Sequence, residues 1–227
     1  MLPFPDSPAT PILTAKTRAL GAELTGILTN FRSTIIVSFI LALVMVFGFG
    51  HSPNGFHGAY WQAVFRWLHV LFGILWIGLL YYFNFVQMRV MPTIPAELKP
   101  AISKYIAPEA LFWFRWSALA TWVMGMIVAF SRGYLMEAIT LGAWQGYQRG
   151  VDMGFTFIGM GMWLATVMFF NVWGLIWPNQ KRALGLVPAD DATKAKAATT
   201  AMLFSRINML LSIPMLVTMT MYQTLFN

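Results

Sequence analysis

The fold is decided by one stretch, Trp61–Gln87, which reads WQAVFRWLHVLFGILWIGLLYYFNFVQ. It is apolar almost throughout and, at about 1.5 Å per residue, long enough to cross a bilayer as a helix. Its polar residues recur on one side. At about 100° per residue, a stripe roughly 80° wide contains Arg66, His69, Gly73, Ile77, Leu80, Asn84 and Gln87. Ionisable groups are costly in hydrocarbon, so this stripe is expected to face other helices.

His69 is the histidine that falls within a predicted membrane span, and two interpretations of it stay open. A lone buried histidine often does no more than hydrogen-bond a neighbouring helix. An imidazole in this position is also suited to ligate a haem iron or to handle a proton.

Composition sets the class of protein. Of 227 residues, 58% are hydrophobic and only 10% are charged, whereas a soluble domain carries about 25% charged residues. With a mean hydropathy of +0.64, the chain is predicted to be an all-α integral membrane bundle. It contains no cysteine, which excludes disulfides, iron–sulfur clusters and covalently attached haem c. The net charge of +7 is expected from basic loops beside anionic lipid and does not indicate nucleic-acid binding.

The hydropathy pattern predicts a polar cytoplasmic segment, 1–32, followed by a helical membrane domain, 33–227. Pro108 and Pro178 are predicted to mark the start of the third span and the end of the fourth. Residues 131–151 contain an apolar core too short to cross, which indicates an interfacial or re-entrant helix. Five transmembrane helices are therefore predicted, at about 33–50, 61–87, 109–130, 154–177 and 204–225.

The positive charges predict the orientation. Lys and Arg number three in 1–33, three in 88–108 and four in 178–204, against two in 131–151 and none in 51–60. This asymmetry of ten to two favours an N-terminus inside and a C-terminus outside.

This topology places a second polar stripe near His69. The last span carries it at Ser205, Asn208, Ser212, Met215, Met219 and Gln223. We therefore expect a pocket in the outer half of the bundle, capped by the loop that holds His51 and His57, and suited to a b-type haem with His/Met or His/His ligation. Its predicted members are His69, Arg66, Met215, Met219 and Gln223.

Three alternatives stay open at this site. The methionines also suit a role as core filler. His69, His51 and His57 are candidate ligands of a small metal site. Gly159 and Gly161 suit either a flat ligand or close helix packing.

Four segments, in order, resemble one known family: RWLHVLFGILWIGLLYYFNFV at 66–86, ALFWFRWSALATWVMG at 110–125, FFNVWGLIWPNQKR at 169–182 and SRINMLLSIPMLVTM at 205–219. Together they are similar to the membrane domain of the bacterial cytochrome-c-coupled urate oxidases. The resemblance implies a multi-span fold in the bacterial inner membrane and urate oxidation, with electrons passed towards cytochrome c. It carries over His69, with Arg66, Trp67 and Asn171 as accompanying positions.

The chain departs from that family's pattern in two ways. It has no cytochrome c domain, and it lacks the further histidines that the pattern places near Gly159, Ile207 and Gln223. Two functions follow as expectations: a haem-binding redox protein that works with a separate cytochrome c or other membrane subunits, or a non-catalytic membrane subunit that keeps the scaffold. Whether the chain is an enzyme is left open.

Overall fold

The computed structural model describes residues 11–50, 55–144 and 152–226, and the described residues are helical or in short turns. They divide into two compact units, Met1–His57 and Gly58–Asn227. This division lies downstream of the boundary at 32 that the sequence suggests. Five helices are long and apolar enough to cross a membrane. The chain is thus a multi-pass, all-α membrane protein whose apolar helix faces contact the bilayer.

The first unit contains α1, Pro11–Thr29, and α2, Phe31–Gly50. No residue in the apolar window of α2 is buried. Because α2 is hydrophobic all round, it is suited to a lipid environment rather than to a water-exposed surface.

The second unit contains four long helices and one short helix. These are α3, Gly58–Thr93; α4, Lys99–Ser131; α5, Leu135–Ile139; α6, Met153–Ala183; and α7, Asp191–Leu225. α3 packs along α4, while α7 packs along α6. The core between them includes Trp76, Leu80, Phe114, Met168 and Ile176, each less than 3% exposed.

Two prolines that the sequence pattern predicts at helix boundaries, Pro108 and Pro178, lie inside long helices. α4 continues through Pro108 and α6 continues through Pro178 to Ala183. A π-helical turn precedes each proline, at Ile102–Ile106 and at Asn171–Ile176. Proline removes one backbone hydrogen bond and crowds the carbonyl four residues earlier. The wider π-helical turn accommodates both effects, so neither helix ends.

The region after α4 confirms the predicted short helix. α5 has five residues and lies against α6, where the Trp163 indole donates to the Ile139 carbonyl at 3.0 Å. Among the described residues of this region none forms a sixth crossing. Residues 145–151 lie outside the described part of the chain.

Both predicted polar stripes face other helices. On α3, Ile77, Leu80 and Asn84 are buried; on α7, Ser205, Asn208, Ser212 and Met215 are buried. The small residues Ser117 and Thr121 are buried on α4, where it packs against α3. Small side chains allow two helices to approach closely, and this positions the cavity described next.

Candidate functional site: a cavity around His69

The second unit contains a cavity of about 680 Å³ between α3, α4, α6 and α7, which we call the His69 cavity. This volume is within the range of about 300–1,000 Å³ that is typical of ligand and cofactor sites. All five residues predicted for the site line it: Arg66, His69, Met215, Met219 and Gln223. The structure thus brings the two stripes together, and cofactor binding by these residues stays a prediction.

A backbone hydrogen bond fixes the ring of His69. Nδ1 of His69 lies 2.9 Å from the carbonyl oxygen of Thr121 on α4. A carbonyl oxygen only accepts hydrogen bonds, so Nδ1 carries the proton. In the neutral imidazole, Nε2 is then the unprotonated nitrogen, and within residues 11–50, 55–144 and 152–226 it has no hydrogen-bond partner. A backbone carbonyl that accepts from one ring nitrogen orients histidines that bind metals through the other.

Gly125 provides the space for this ring. A Cβ atom on Gly125 would lie 3.0 Å from Cε1 and 3.1 Å from Nδ1 of His69. Gly125 belongs to the small-residue series of Ser117, Thr121 and Gly125 that the sequence shows on α4. These small residues do more than allow α3 and α4 to approach closely, because Gly125 also leaves room for the imidazole of His69.

Polar side chains gather at the end of the cavity where α3 begins and α7 ends. Arg66 donates from Nη1 to Oε1 of Gln223 at 2.8 Å. Arg132 and Tyr134, from the turn after α4, line the same cavity. Burial raises the pKa of Tyr134, and the nearby Arg132 guanidinium opposes that rise, so the phenol stays protonated at neutral pH.

The cavity has a positive balance of charge. Two guanidinium groups line it, and none of the described residues around it is an aspartate or glutamate. The lining therefore favours an anionic group at this end and supplies no carboxylate for acid–base catalysis.

Trp76 was missed by the sequence analysis. It is 1% exposed and lines the cavity. Its Nε1 is buried, and no described residue forms a hydrogen bond with it. Seven residues after His69, Trp76 falls just outside the 80° stripe. A hydropathy pattern counts the indole side chain as apolar and ignores its N–H donor. That donor is the sequence signal that would have identified Trp76 as a member of the site.

Tyr81 was also missed and lies at the other edge of the stripe. Its hydroxyl is 3.1 Å from Oγ of Ser212. Beyond it, Asn171 donates to Oδ1 of Asn208 at 2.8 Å, and Asn208 donates to the Met168 carbonyl at 3.0 Å. These hydrogen bonds join α3 to α7 and α6 to α7 beneath the cavity, and they give Asn171 a structural role.

Only part of the predicted metal set of His69, His51 and His57 lies within the described residues. His57 is exposed and belongs to the first unit, and His51 lies outside the described residues. Among the residues that the structure describes, no group of three or more His, Cys, Asp and Glu side chains is arranged to hold a metal ion. The histidine metal site stays a prediction.

Gly159 and Gly161 serve helix packing. A Cβ on Gly159 would collide with the Ala138 carbonyl of α5, and one on Gly161 would collide with Thr218 of α7. Neither glycine lines the His69 cavity. Of the two roles that the sequence leaves open for them, close packing is therefore the one observed.

Comparison with known proteins bears on this geometry. The model of the family described as urate oxidase N-terminal matches residues 135–226. Over these residues the chain is similar to that family. No curated protein and no solved structure gives a significant match. The resemblance to the urate oxidase membrane domain is confirmed over these residues.

The urate oxidase N-terminal match includes one side of the cavity. Met215, Met219 and Gln223 lie within the matched residues, whereas Arg66 and His69 lie before them. Of the accompanying positions that the resemblance carries over, Trp67 is half-buried and does not line the cavity.

Proposed function

We propose that this urate-oxidase-like membrane domain binds a b-type haem in the His69 cavity and takes part in electron transfer. The observation that supports the proposal most strongly is the tautomer of His69, which its hydrogen bond fixes. Its Nδ1 is committed to the Thr121 carbonyl at 2.9 Å, so the unprotonated Nε2 is the atom available to an iron. When bound, haem supplies one-electron redox chemistry, and the protein supplies its ligands and surroundings.

The donor set around the cavity suits this cofactor. His69 would hold the iron, and the thioethers of Met215 and Met219 in the same lining are candidates for a second ligand. Histidine with methionine is a known axial pair for electron-transfer haem. Arg66 and Arg132 are suited to pair with the two propionate groups through charge-assisted hydrogen bonds. Seven of the other lining residues are aliphatic, among them Val70, Ile74 and Leu216, and such side chains suit a porphyrin face.

The polar groups at the cavity's end would orient the cofactor. Gln223 holds the guanidinium of Arg66 at 2.8 Å, which restricts the side chain before any ligand binds. A preorganised arginine loses less conformational freedom on binding than a free one does. We do not extend the proposal to urate oxidation, because the histidines that the family pattern has in later spans are absent here.

The remaining parts of the proposal concern location and partners. We propose that the protein lies in the bacterial cytoplasmic membrane with its N-terminus inside, as the ten-to-two charge asymmetry favours. The His69 cavity then opens towards the outer side. A separate cytochrome c or another membrane subunit on that side would exchange electrons with the bound haem.

An absorption spectrum of detergent-purified protein, expressed with haem supplied, tests the proposal. We expect a reduced-minus-oxidised band of b-type haem in the wild type and in His57→Ala. We expect none in His69→Ala, because an imidazole–iron bond has no substitute in that lining. Size-exclusion chromatography and circular dichroism establish that each variant is folded.

Replacing Met219 or Met215 by leucine identifies the second ligand. Leucine keeps the approximate volume of methionine, so loss of the thioether is the main change. The variant that removes an axial ligand shifts the spectrum of the reduced haem. A wild-type protein that is folded yet takes up no haem would overturn the proposal in favour of a non-catalytic membrane subunit.

A further inference from the structure

The end of the second unit opposite Arg66 and Gln223 carries two adjoining crevices, each of about 450 Å³. They share Lys99, Ala183 and Leu184, so we treat them as one feature, the Lys99 crevice. The segments 88–108 and 178–204, which the charge count assigns to the cytoplasmic side, both contribute to its lining. The two basic segments therefore meet at this end of the unit.

The cations of the crevice have no acidic partner. Lys99 lines both halves, and Lys104 and Ser103 line the second half. In the described part of the chain the one ion pair is Lys194 with Asp191, at 3.2 Å. Lys99 and Lys104 thus present two uncompensated positive charges within one recess, which favours an anion.

The same crevice contains an acceptor that needs a donor. Oε1 of Gln87 is buried and has no hydrogen-bond partner among the residues that the structure describes. Gln87 ends the π-helical turn Tyr82–Gln87 of α3 and lines the crevice together with Lys99. An amide oxygen only accepts, so a ligand that satisfies it must carry a hydroxyl or N–H group. Unpaired polar atoms at membrane depth are uncommon and point to function.

Apart from Gln180 and Ser205, the remaining lining of the first half is apolar. Met88, Leu111 and Phe114 contribute to its lining, and these side chains suit an acyl chain rather than a small hydrated ion. A phosphate held by Lys99 is therefore expected to belong to a lipid.

We propose that the Lys99 crevice binds one anionic phospholipid whose headgroup carries hydroxyl groups, as in phosphatidylglycerol. The phosphate pairs with Lys99 and Lys104, and a headgroup hydroxyl donates to Oε1 of Gln87. One acyl chain lies along Met88 and Leu111. Basic recesses between helices on the cytoplasmic side are suited to such headgroups. This site is separate from the His69 cavity and does not depend on haem binding.

Native mass spectrometry of the full-length, delipidated protein tests the proposal. The protein is mixed with phosphatidylglycerol, phosphatidic acid and phosphatidylethanolamine of identical acyl chains. We expect phosphatidylglycerol to bind most tightly. The double variant Lys99→Gln, Lys104→Gln should lower its affinity at least about tenfold. Lys99→Arg, which keeps the charge, should retain binding, and Lys196→Gln, an exposed lysine outside the crevice, is the matched control.

Gln87→Leu separates the hydroxyl contact from the charge contact. Phosphatidic acid lacks the headgroup glycerol hydroxyls, so its affinity should be the same for Gln87→Leu as for the wild type. The preference for phosphatidylglycerol over phosphatidic acid should disappear in Gln87→Leu. A preference that persists in Gln87→Leu would overturn the role of that amide. Equal binding of phosphatidylethanolamine, or no effect of the double lysine variant, would overturn the site. Displacement of the lipid by inorganic phosphate would show a free-anion site instead.

Discussion

Replacing Gly125 with alanine tests how the fold holds His69. The added methyl group would lie 3.0 Å from Cε1 and 3.1 Å from Nδ1 of the imidazole, whereas carbon atoms in contact are about 3.5–4.0 Å apart. The ring must therefore move by several tenths of an ångström. Because Nδ1 is 2.9 Å from the Thr121 carbonyl, this movement weakens the hydrogen bond that fixes the tautomer.

The structure allows the free-energy change of Gly125→Ala to be worked out. Inserting a methyl group into a packed site costs about 1–3 kcal/mol, and the weakened hydrogen bond costs up to about 1 kcal/mol. Alanine has a better helix propensity than glycine by about 1 kcal/mol. The net loss in free energy of unfolding is about 0–3 kcal/mol. Gly174, on α6, has no atom within 4 Å of a built Cβ, so Gly174→Ala should be stabilised by about 1 kcal/mol.

Denaturant titration in detergent, followed by tryptophan fluorescence, measures both variants. We expect Gly125→Ala to be less stable than Gly174→Ala by about 1–4 kcal/mol. We also expect Gly125→Ala, unlike Gly174→Ala, to bind haem more weakly than the wild type. Equal stability of the two variants, with wild-type haem affinity in both, would refute the packing of the imidazole against Gly125.

Three further predictions concern other parts of the chain. Asn208→Leu should lower the free energy of unfolding by about 1–3 kcal/mol, because it leaves the buried partners of Asn208 on α6 unpaired. Thr220 is exposed, so Thr220→Ala should change the free energy of unfolding little when measured by the same denaturant titration. The backbone hydrogen bond from Thr193 lowers the pKa of Asp190. The ionised carboxylate of Asp190 therefore stabilises the folded state fully above the unfolded-state pKa of about 4, and this stabilisation is lost as the pH falls through the lower folded-state pKa. Stability of Asp190→Asn, which keeps the helix cap, should therefore change less between neutral and acidic pH, and equal pH profiles would contradict this. A reporter fused after the last residue should be active outside the cytoplasm, and one inserted near Lys194 inside; the reverse would overturn the proposed orientation.

Much of the architecture was predictable because hydrophobic length and periodicity decide it. The stripe through His69 and the stripe through Met219 each repeat with the helix period, so the sequence alone indicates that they face other helices. The cavity between them follows once both helices are placed. Its five predicted members line it for this reason.

The rest depends on contacts between distant segments. The continuation of α4 and α6 through Pro108 and Pro178 needs π-helical turns, which have no clear local sequence signal. Arg132 and Tyr134 join the cavity only because the turn after α4 folds back beside α7. Trp76 belongs to the site through one polar atom on a side chain that is otherwise apolar. Such atoms are found from packing, not from hydropathy.

Haem titration of the folded apo-protein tests the central claim most directly, that Nε2 of His69 binds the iron. The measurement compares the wild type with His69→Gly in the absence and presence of free imidazole, which fits the space that the side chain leaves. We predict that the wild type binds haem, that His69→Gly does not, and that imidazole restores a haem spectrum like that of the wild type. Haem binding by His69→Gly at wild-type affinity without imidazole would contradict the account.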